Sequence, residues 1–342
     1  MMKSAKGRNM DVVDGDYAYD AGGASGMIGE SFAAVRGIGS DGAGSDGACC
    51  RHVALLMNEG ITSWFNDEVF AGIDSVMHDE GYAVSLFQHV DTGESRREFF
   101  ADLRKDDDWA AVFVASFAVD PEEVRRLGPA RAPIIGINTS SEEGFDATIS
   151  IDDEEGMYEA ALHLIELGHN KIVYLCSDAV DSIHSSIDAR RRGFVRACRT
   201  AEHSHNLRWR VISLPRGGSS VESALDSLIA LNEFPDAICC QSDTIAIPLL
   251  LRLHRYGRHA PTDYSIIGFD DSTYADEADL TTMRQDPFAM GRIAAWKALK
   301  LIAGETPERP YEIVRARLVQ RGTDCECCET CDARPLAAAP YL

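Results

Sequence analysis

The amino-acid sequence predicts an α/β protein built as two doubly wound parallel-sheet lobes with a ligand cleft between them. Three observations carry this. Short apolar runs alternate with stretches of helical periodicity along most of the chain, the pattern of right-handed βαβ units. The runs are too numerous for one ordinary doubly wound sheet. The length, 342 residues, suits two domains of about 100–200 residues each.

Taken in order, residues 1–50 are rich in Gly, Ala, Ser and Asp and have no apolar period. Such a composition cannot bury enough surface to offset chain entropy, so a low-complexity, disordered segment is expected there. Val53–Met57 is an apolar run suited to a strand buried on both faces. Val69, Ile73, Val76 and Met77 then recur at helical spacing, and Gly81 closes that helix. Strands follow at Ala83–Phe87, Ala110–Ala115 and Pro133–Ile137, with helical patterns at Ser95–Leu103 and Pro121–Leu127 between them.

After Ile149–Asp152 the alternation resumes. Helices are expected at Glu154–Leu167, Ala189–Ala201, Val221–Leu231 and Thr244–Tyr256, with strands at Lys171–Cys176, Arg210–Leu214, Ala237–Cys240 and Tyr264–Phe269. Asp286-Pro287 opens a helix that runs to about Ile302, with Asp as the cap and Pro in the first turn. Glu312–Val319 reads as one last strand.

Lys and Arg number 33 against 55 Asp and Glu, a formal net charge of −22. That balance repels phosphate backbones unless a small basic module rides on the acidic body. No apolar run reaches the roughly 20 residues needed to cross a bilayer. The basic N-terminus leads into acids rather than an apolar stretch, so no secretory signal is expected and the protein is placed in the cytoplasm. Of ten cysteines, Cys176, Cys239 and Cys240 lie in strand-like runs and read as small buried hydrophobes. The tail Cys325-Glu-Cys327-Cys328-Glu-Thr-Cys331 has two readings. It is either a Zn²⁺ or Cu⁺ grip or a mobile, oxidisable tail, and the second is favoured because only one thiol cluster is present. No cofactor is expected.

Ligands of open parallel sheets bind beyond the carboxyl ends of the strands. The residues just past each strand are polar or aromatic: Phe65 and Asn66, Ser116, Asn138, Asp152, the 178–186 loop, Arg216, Ser242 with Asp243, and Asp270 with Asp271. Carboxylates and amides suit ligand hydroxyls, an aromatic face suits the C–H side of a ring, and an arginine fork can fix one end. Each has a second reading. Asp152, Asp243 and Asp286 suit helix caps, Phe65 suits the core, and the Arg190-Arg-Arg run suits a solvated basic face. Gly-x-Gly-x-x-Gly, Walker, His-Glu-x-x-His and Gly-x-Ser-x-Gly patterns are all missing, so no residue is nominated for catalysis. His169, just after the helix-stopping Gly168, suits interaction with terminal carbonyls.

Several blocks together resemble the lactose-repressor (LacI) family. They are His163-Leu-Ile-Glu-Leu-Gly-His169, Arg190-Arg-Arg-Gly-Phe194, Phe234-Pro-Asp-Ala-Ile238 leading to Ser242-Asp243, Ile267-Gly-Phe-Asp-Asp271, and Leu280-Thr-Thr-Met-Arg-Gln285 with Met290-Gly-Arg. The series spans about His52 to Arg321. The resemblance implies a periplasmic-binding-protein-like type I core with three crossovers, near Ser150, Leu280 and Glu308. One lobe would take 51–150 with 281–308 and the other 151–280 with 309–322, leaving 323–342 as a cysteine-rich tail. By position it places effector contacts on Phe65, Asn66, Asn138, Arg190, Arg216, Ser242, Asp270 and Gln285, to which Ser116 and Asp152 are added from the strand-end reading. Asn138 stands where the family often has Asp, Ser242 where it often has Asn, and Arg216 where an aromatic often stacks. The last departure keeps an acidic or phosphorylated sugar open beside a neutral one.

Family members begin with a basic helix-turn-helix and a hinge helix. Residues 1–50 carry no such pattern, and Lys3, Lys6, Arg8 and Arg36 face seven acids between Asp11 and Asp46. This chain alone is therefore not expected to bind an operator. The resemblance implies a non-enzymatic, homodimeric sensor of a sugar-like effector that acts on DNA through full-length relatives. A sugar solute-binding protein for transport is the alternative.

Overall fold

The computed structural model describes residues 52–327 apart from 59, 89–93, 95–96, 98–108, 127–131, 178–184 and 216–219. The reading of residues 1–50, the helix expected at 95–103 and most of the 178–186 loop therefore lie wholly or mainly outside the described residues, as do Arg216, Cys328 and Cys331.

Among the described residues, twelve strands form two sheets of six. The first sheet holds β1 (His52–Met57), β2 (Ala83–Phe87), β3 (Trp109–Ala115), β4 (Ile134–Ile137), β5 (Ala147–Ile151) and β11 (Tyr311–Val314), in the order β11-β5-β4-β3-β1-β2. Every pairing in it is parallel. The second holds β6 (Lys171–Ser177), β7 (Arg208–Leu214), β8 (Ala237–Cys240), β9 (Ser265–Asp270), β10 (Thr281–Arg284) and β12 (Arg317–Val319), ordered β12-β10-β9-β8-β6-β7. Only β12 runs antiparallel. Connecting helices are α1 (Trp64–Met77), α2 (Pro121–Arg126), α3 (Asp153–Glu166), α4 (Ser185–His205), α5 (Ser220–Ile229), α6 (Asp243–Arg255) and α7 (Pro287–Ile302). No helix among the described residues is long and apolar enough to cross a membrane.

The continuous apolar runs are explained by cores on both faces of each sheet. In β1, Val53, Leu55 and Met57 enter one core while Ala54 and Leu56 enter another. In β6, Ile172, Tyr174 and Cys176 point to one side and Val173 and Leu175 to the other. Cys176, Cys239 and Cys240 are buried. Helix α7 lies on α1 so closely that a Cβ on Gly291 would come within 2.4 Å of the Val69 carbonyl oxygen, and one on Gly72 within 2.2 Å of that of Phe288.

Two elements depart from expectation. Glu312–Val319 is not one strand: β11 pairs with β5 and β12 with β10, in different sheets. Ala316, between them, is buried against Gly156. Thr281–Arg284, which the resemblance groups with the first lobe and which no apolar run marks as a strand, is β10, paired with β9 in the second sheet. The polar Thr281 and Thr282 hide its strand character. Both are fully buried, and their hydroxyls bond to Asp324 and Asp243. The second and third passages between sheets therefore come later than expected, after Arg284 and after Val314. Thr323 also belongs to the folded body, exchanging hydrogen bonds with Ile266 and accepting at its hydroxyl from the Thr281 N–H.

Candidate functional site

The chain passes between sheets at the carboxyl ends of β5, β10 and β11. Because β12 is antiparallel to β10, with Arg317 opposite Arg284, the third passage also arrives at the carboxyl-end side of the second sheet. The carboxyl ends of both sheets therefore lie on the side where the three crossings run. Residues just beyond the strands gather at this seam.

At its centre is Arg190, on α4. A Cβ on Gly193 would lie 2.1 Å from the Glu154 carbonyl oxygen, so only glycine lets α4 approach the first turn of α3 this closely. One turn before Gly193, the Arg190 guanidinium meets that turn. Its Nε donates to Asp153 Oδ1 at 2.7 Å, and Nη1 donates to the Gln241 carbonyl at 2.8 Å and to Asp270 Oδ1 at 3.2 Å. The guanidinium carbon sits 3.7 Å from the centre of the Phe269 ring, a cation–π contact. Arg190 is buried whereas Arg191 and Arg192 are exposed, so the basic-face reading holds for its neighbours and fails for Arg190 itself.

Each residue after Ile267 has a distinct task. Gly268 leaves room for Asp243, whose Oδ1 would lie 2.1 Å from a Cβ there. Phe269 underlies Arg190. Asp270, at φ 129°, aims its carboxylate at Arg190 and accepts from Gln285 Nε2 at 2.6 Å. Asp271 takes Arg284 and Arg321 at 2.5 and 2.7 Å.

Burial pushes Asp270 up to about 7, against the pull of Arg190 and with help from the negative Asp243. Burial also raises Asp243, against hydrogen bonds from Ser272 and Thr282. Arg190 is desolvated, but Asp153 and Asp270 more than offset this and hold it above its ordinary value. For Asp270 the folded chain keeps a proton that the unfolded chain gives up near 3.8. Stability from this group is thus present below that value and is lost as pH rises toward 7. The variant Asp270→Asn, which cannot titrate, is expected to gain stability relative to wild type across pH 4–7. Denaturant melts at several pH values read this directly, and parallel curves would contradict it.

The other expected residues divide. Gln285 joins the cluster: its backbone N–H donates to the Asp270 carbonyl, and its Oε1 is buried with no hydrogen-bond partner. Asp152 caps α3, accepting from Glu155 N at 3.0 Å, while its own N–H donates to the Val314 carbonyl; its side chain is committed to the helix end. Asn138, at φ 51°, accepts from Ile151 N at 3.2 Å and so ties β4 to the first crossing. Ser242 stands at the cap position of α6, with its Oγ 2.6 Å from Thr244 Oγ1. Ser116, at φ 67°, donates its N–H to the Ile137 carbonyl. Phe65 packs on the core of the first lobe and buried Asn66 reaches the Gly60 carbonyl at 3.4 Å.

Three contributors escaped the sequence reading: Asp153, the Gln241 carbonyl and Phe269. The Asp152-Asp153 pair held a signal, since one carboxylate suffices for a cap. A main-chain carbonyl leaves none.

Residues 161–323 match the family model described as a periplasmic binding protein-like domain. The chain is 27% identical over 281 residues to the HTH-type transcriptional repressor PurR of Vibrio cholerae, covering 80% of each. It is 25% identical over 287 residues to the arabinose metabolism transcriptional repressor of Geobacillus stearothermophilus, covering 78% of this chain and 76% of the relative. Among solved structures, a LacI family transcriptional regulator from Enterococcus faecium with bound ribose superimposes with a TM-score of 0.68 at 22% identity, covering 81% of this chain and all of that one. A periplasmic binding protein/LacI transcriptional regulator from Alkaliphilus metalliredigens, complexed with D-xylulofuranose, gives 0.66 at 21%, covering 80% and 99%. Over about four fifths of its length the chain is thus similar to LacI-type transcriptional regulators, and residues 161–323 are those that match a periplasmic binding protein-like domain.

Proposed function

We propose that the chain senses a small, sugar-like effector held between the lobes, and that in full-length relatives this binding is coupled through dimer geometry to DNA affinity. The observation that carries the reading is Gln285. Its Oε1 is buried without a partner while its Nε2 is spent on Asp270. A buried acceptor left unmade costs roughly 1–3 kcal/mol, and a ligand hydroxyl would repay it. Asp270 beside it offers a carboxylate for a second hydroxyl, and Arg190 holds that carboxylate in place. Phe65, Asn66, Ser116, Asn138 and Ser242 are the candidates to meet the ligand from the remaining strand ends, with Arg216 as the candidate to greet an acidic group.

A ligand touching both lobes stabilises the arrangement in which they are close, and a second copy of the chain would read that shift as a change of orientation. The reading is one of binding without turnover, in the cytoplasm, as a homodimer. Transport is not favoured by any feature beyond the shared fold.

The test is a thermal-shift screen over neutral sugars, acid sugars and purines, followed by calorimetric titration. A sugar-like compound that raises the melting temperature of wild type and loses at least tenfold in affinity with Gln285→Ala supports the proposal. Binding that Gln285→Ala leaves unchanged, or no binder among sugars, would reject it.

A further inference from the structure

At the opposite end of the second sheet, we infer a zinc site built from His169, Asp236 and Cys327, which pins the start of the cysteine-rich tail. His169 and Asp236 lie just before β6 and β8, at the amino ends of the strands. The site is therefore separate from the effector cluster and independent of the function proposed for it.

The chemistry starts from the imidazole. His169 Nε2 faces the Cys325 carbonyl at 3.1 Å. A carbonyl can only accept, so Nε2 carries the proton. In the neutral ring Nδ1 then presents a lone pair. It is fully buried and has no hydrogen-bond partner. What faces it is another acceptor, Asp236 Oδ1, at 3.7 Å, too far for a hydrogen bond. That carboxylate is fixed from behind by the backbone N–H groups of Asn170 and Lys171 at 3.0–3.2 Å. The Cys327 sulfur completes the group, with all three ligand atoms within 4.8 Å of one another. Cys327 is held there by its backbone N–H, which donates to the Leu167 carbonyl at 2.7 Å.

Two acceptors and a thiol converging on one point form a cation site. Zinc bonds to His N and carboxylate O run about 2.0–2.2 Å and to thiolate S about 2.3 Å, so neighbouring ligand atoms in a tetrahedral site lie roughly 3.3–3.7 Å apart. The 3.7 Å gap between His169 and Asp236 needs a shift of a few tenths of an ångström, and the separations to the Cys327 sulfur, all within 4.8 Å, need a closure of about 1 Å at most. The mixed N, O and S set suits zinc, whereas Ca²⁺ and Mg²⁺ take oxygen ligands. Binding displaces the Cys327 thiol proton to solvent, leaving a thiolate on the ion. The competing arrangement is an imidazolium paired with Asp236 and no metal.

Metal analysis of the full chain, purified reduced and without chelator, decides between them. Wild type is expected to hold about one zinc per chain and, with Co²⁺ substituted, to show a thiolate-to-cobalt charge-transfer band. Cys327→Ser, a conservative change after the last strand, should lose the band and at least tenfold in zinc affinity, while Cys325→Ser keeps both. Absence of stoichiometric zinc that added metal does not restore, or equal losses in the two variants, would overturn the site.

Discussion

Replacing Arg190 with Met is expected to lower the unfolding free energy by about 3–5 kcal/mol and to abolish effector binding. The substitution keeps an apolar stem over Phe269 but leaves Asp153 and Asp270 buried without the cation between them. The cost comes from stranding carboxylates more than from losing hydrogen bonds, and this gives a signature. With Arg190 gone, Asp270 rises further above the value of about 7 that burial already imposes. The wild-type-minus-variant difference should therefore be flat from pH 4 to about 6, where the acid is neutral in both folded forms, and widen only as pH passes 7 and the wild-type carboxylate ionises beside its cation. Arg190→Lys is expected to fall between the two, since an ammonium keeps the charge but cannot span Asp153, Asp270 and the Gln241 carbonyl as a planar fork does. Urea melts across pH check both. A pH-independent loss would mean that packing, not charge, dominates.

The second large effect is expected at Lys297. Its Nζ lies 3.2 Å from Glu312 Oε2 and donates to the Thr148 carbonyl at 2.7 Å, with both charged side chains under a tenth exposed. Burial pulls the Lys297 pKa down and Glu312 pulls it back up, with a net fall from 10.5. Lys297→Met removes the ammonium that faces the buried Glu312 carboxylate on the outer strand β11, for a loss of about 3–5 kcal/mol. Paired with Glu312→Leu, most of that loss should return, because apolar replacement of a whole buried ion pair is often near neutral. Denaturant midpoints of the two single variants and the double variant give the coupling. A double variant as unstable as the worse single one would refute this account.

How far the residues reveal the molecule is uneven, for physical reasons. Runs such as Val53–Met57 and Ala237–Cys240 disclose themselves because strands covered on both faces must be apolar throughout. Thr281–Arg284 does not, since its threonines are buried through hydrogen bonds to Asp324 and Asp243 that no periodicity encodes. Val314 and Leu318 look like one strand because the chain changes sheets within two residues, without glycine or proline to mark it. At the site, Arg190 and Gln285 are legible through the family resemblance and Asp270 also through its strand-end position, and the structure brings the three together. Asp152 and Asn138 follow from the same strand-end rule. Both also serve the backbone, because a strand end is where unpaired N–H groups need acceptors.

The shortness of the third passage has a mechanical meaning. Arg315 and Ala316 alone separate Val314 in one sheet from Arg317 in the other, and three Cα steps reach at most about 11 Å. That tether lets the halves swing but not drift apart. At that edge, any movement of one half against the other is confined to turning about the few torsions of two residues, and such turning would reach the far ends of the molecule as rotation.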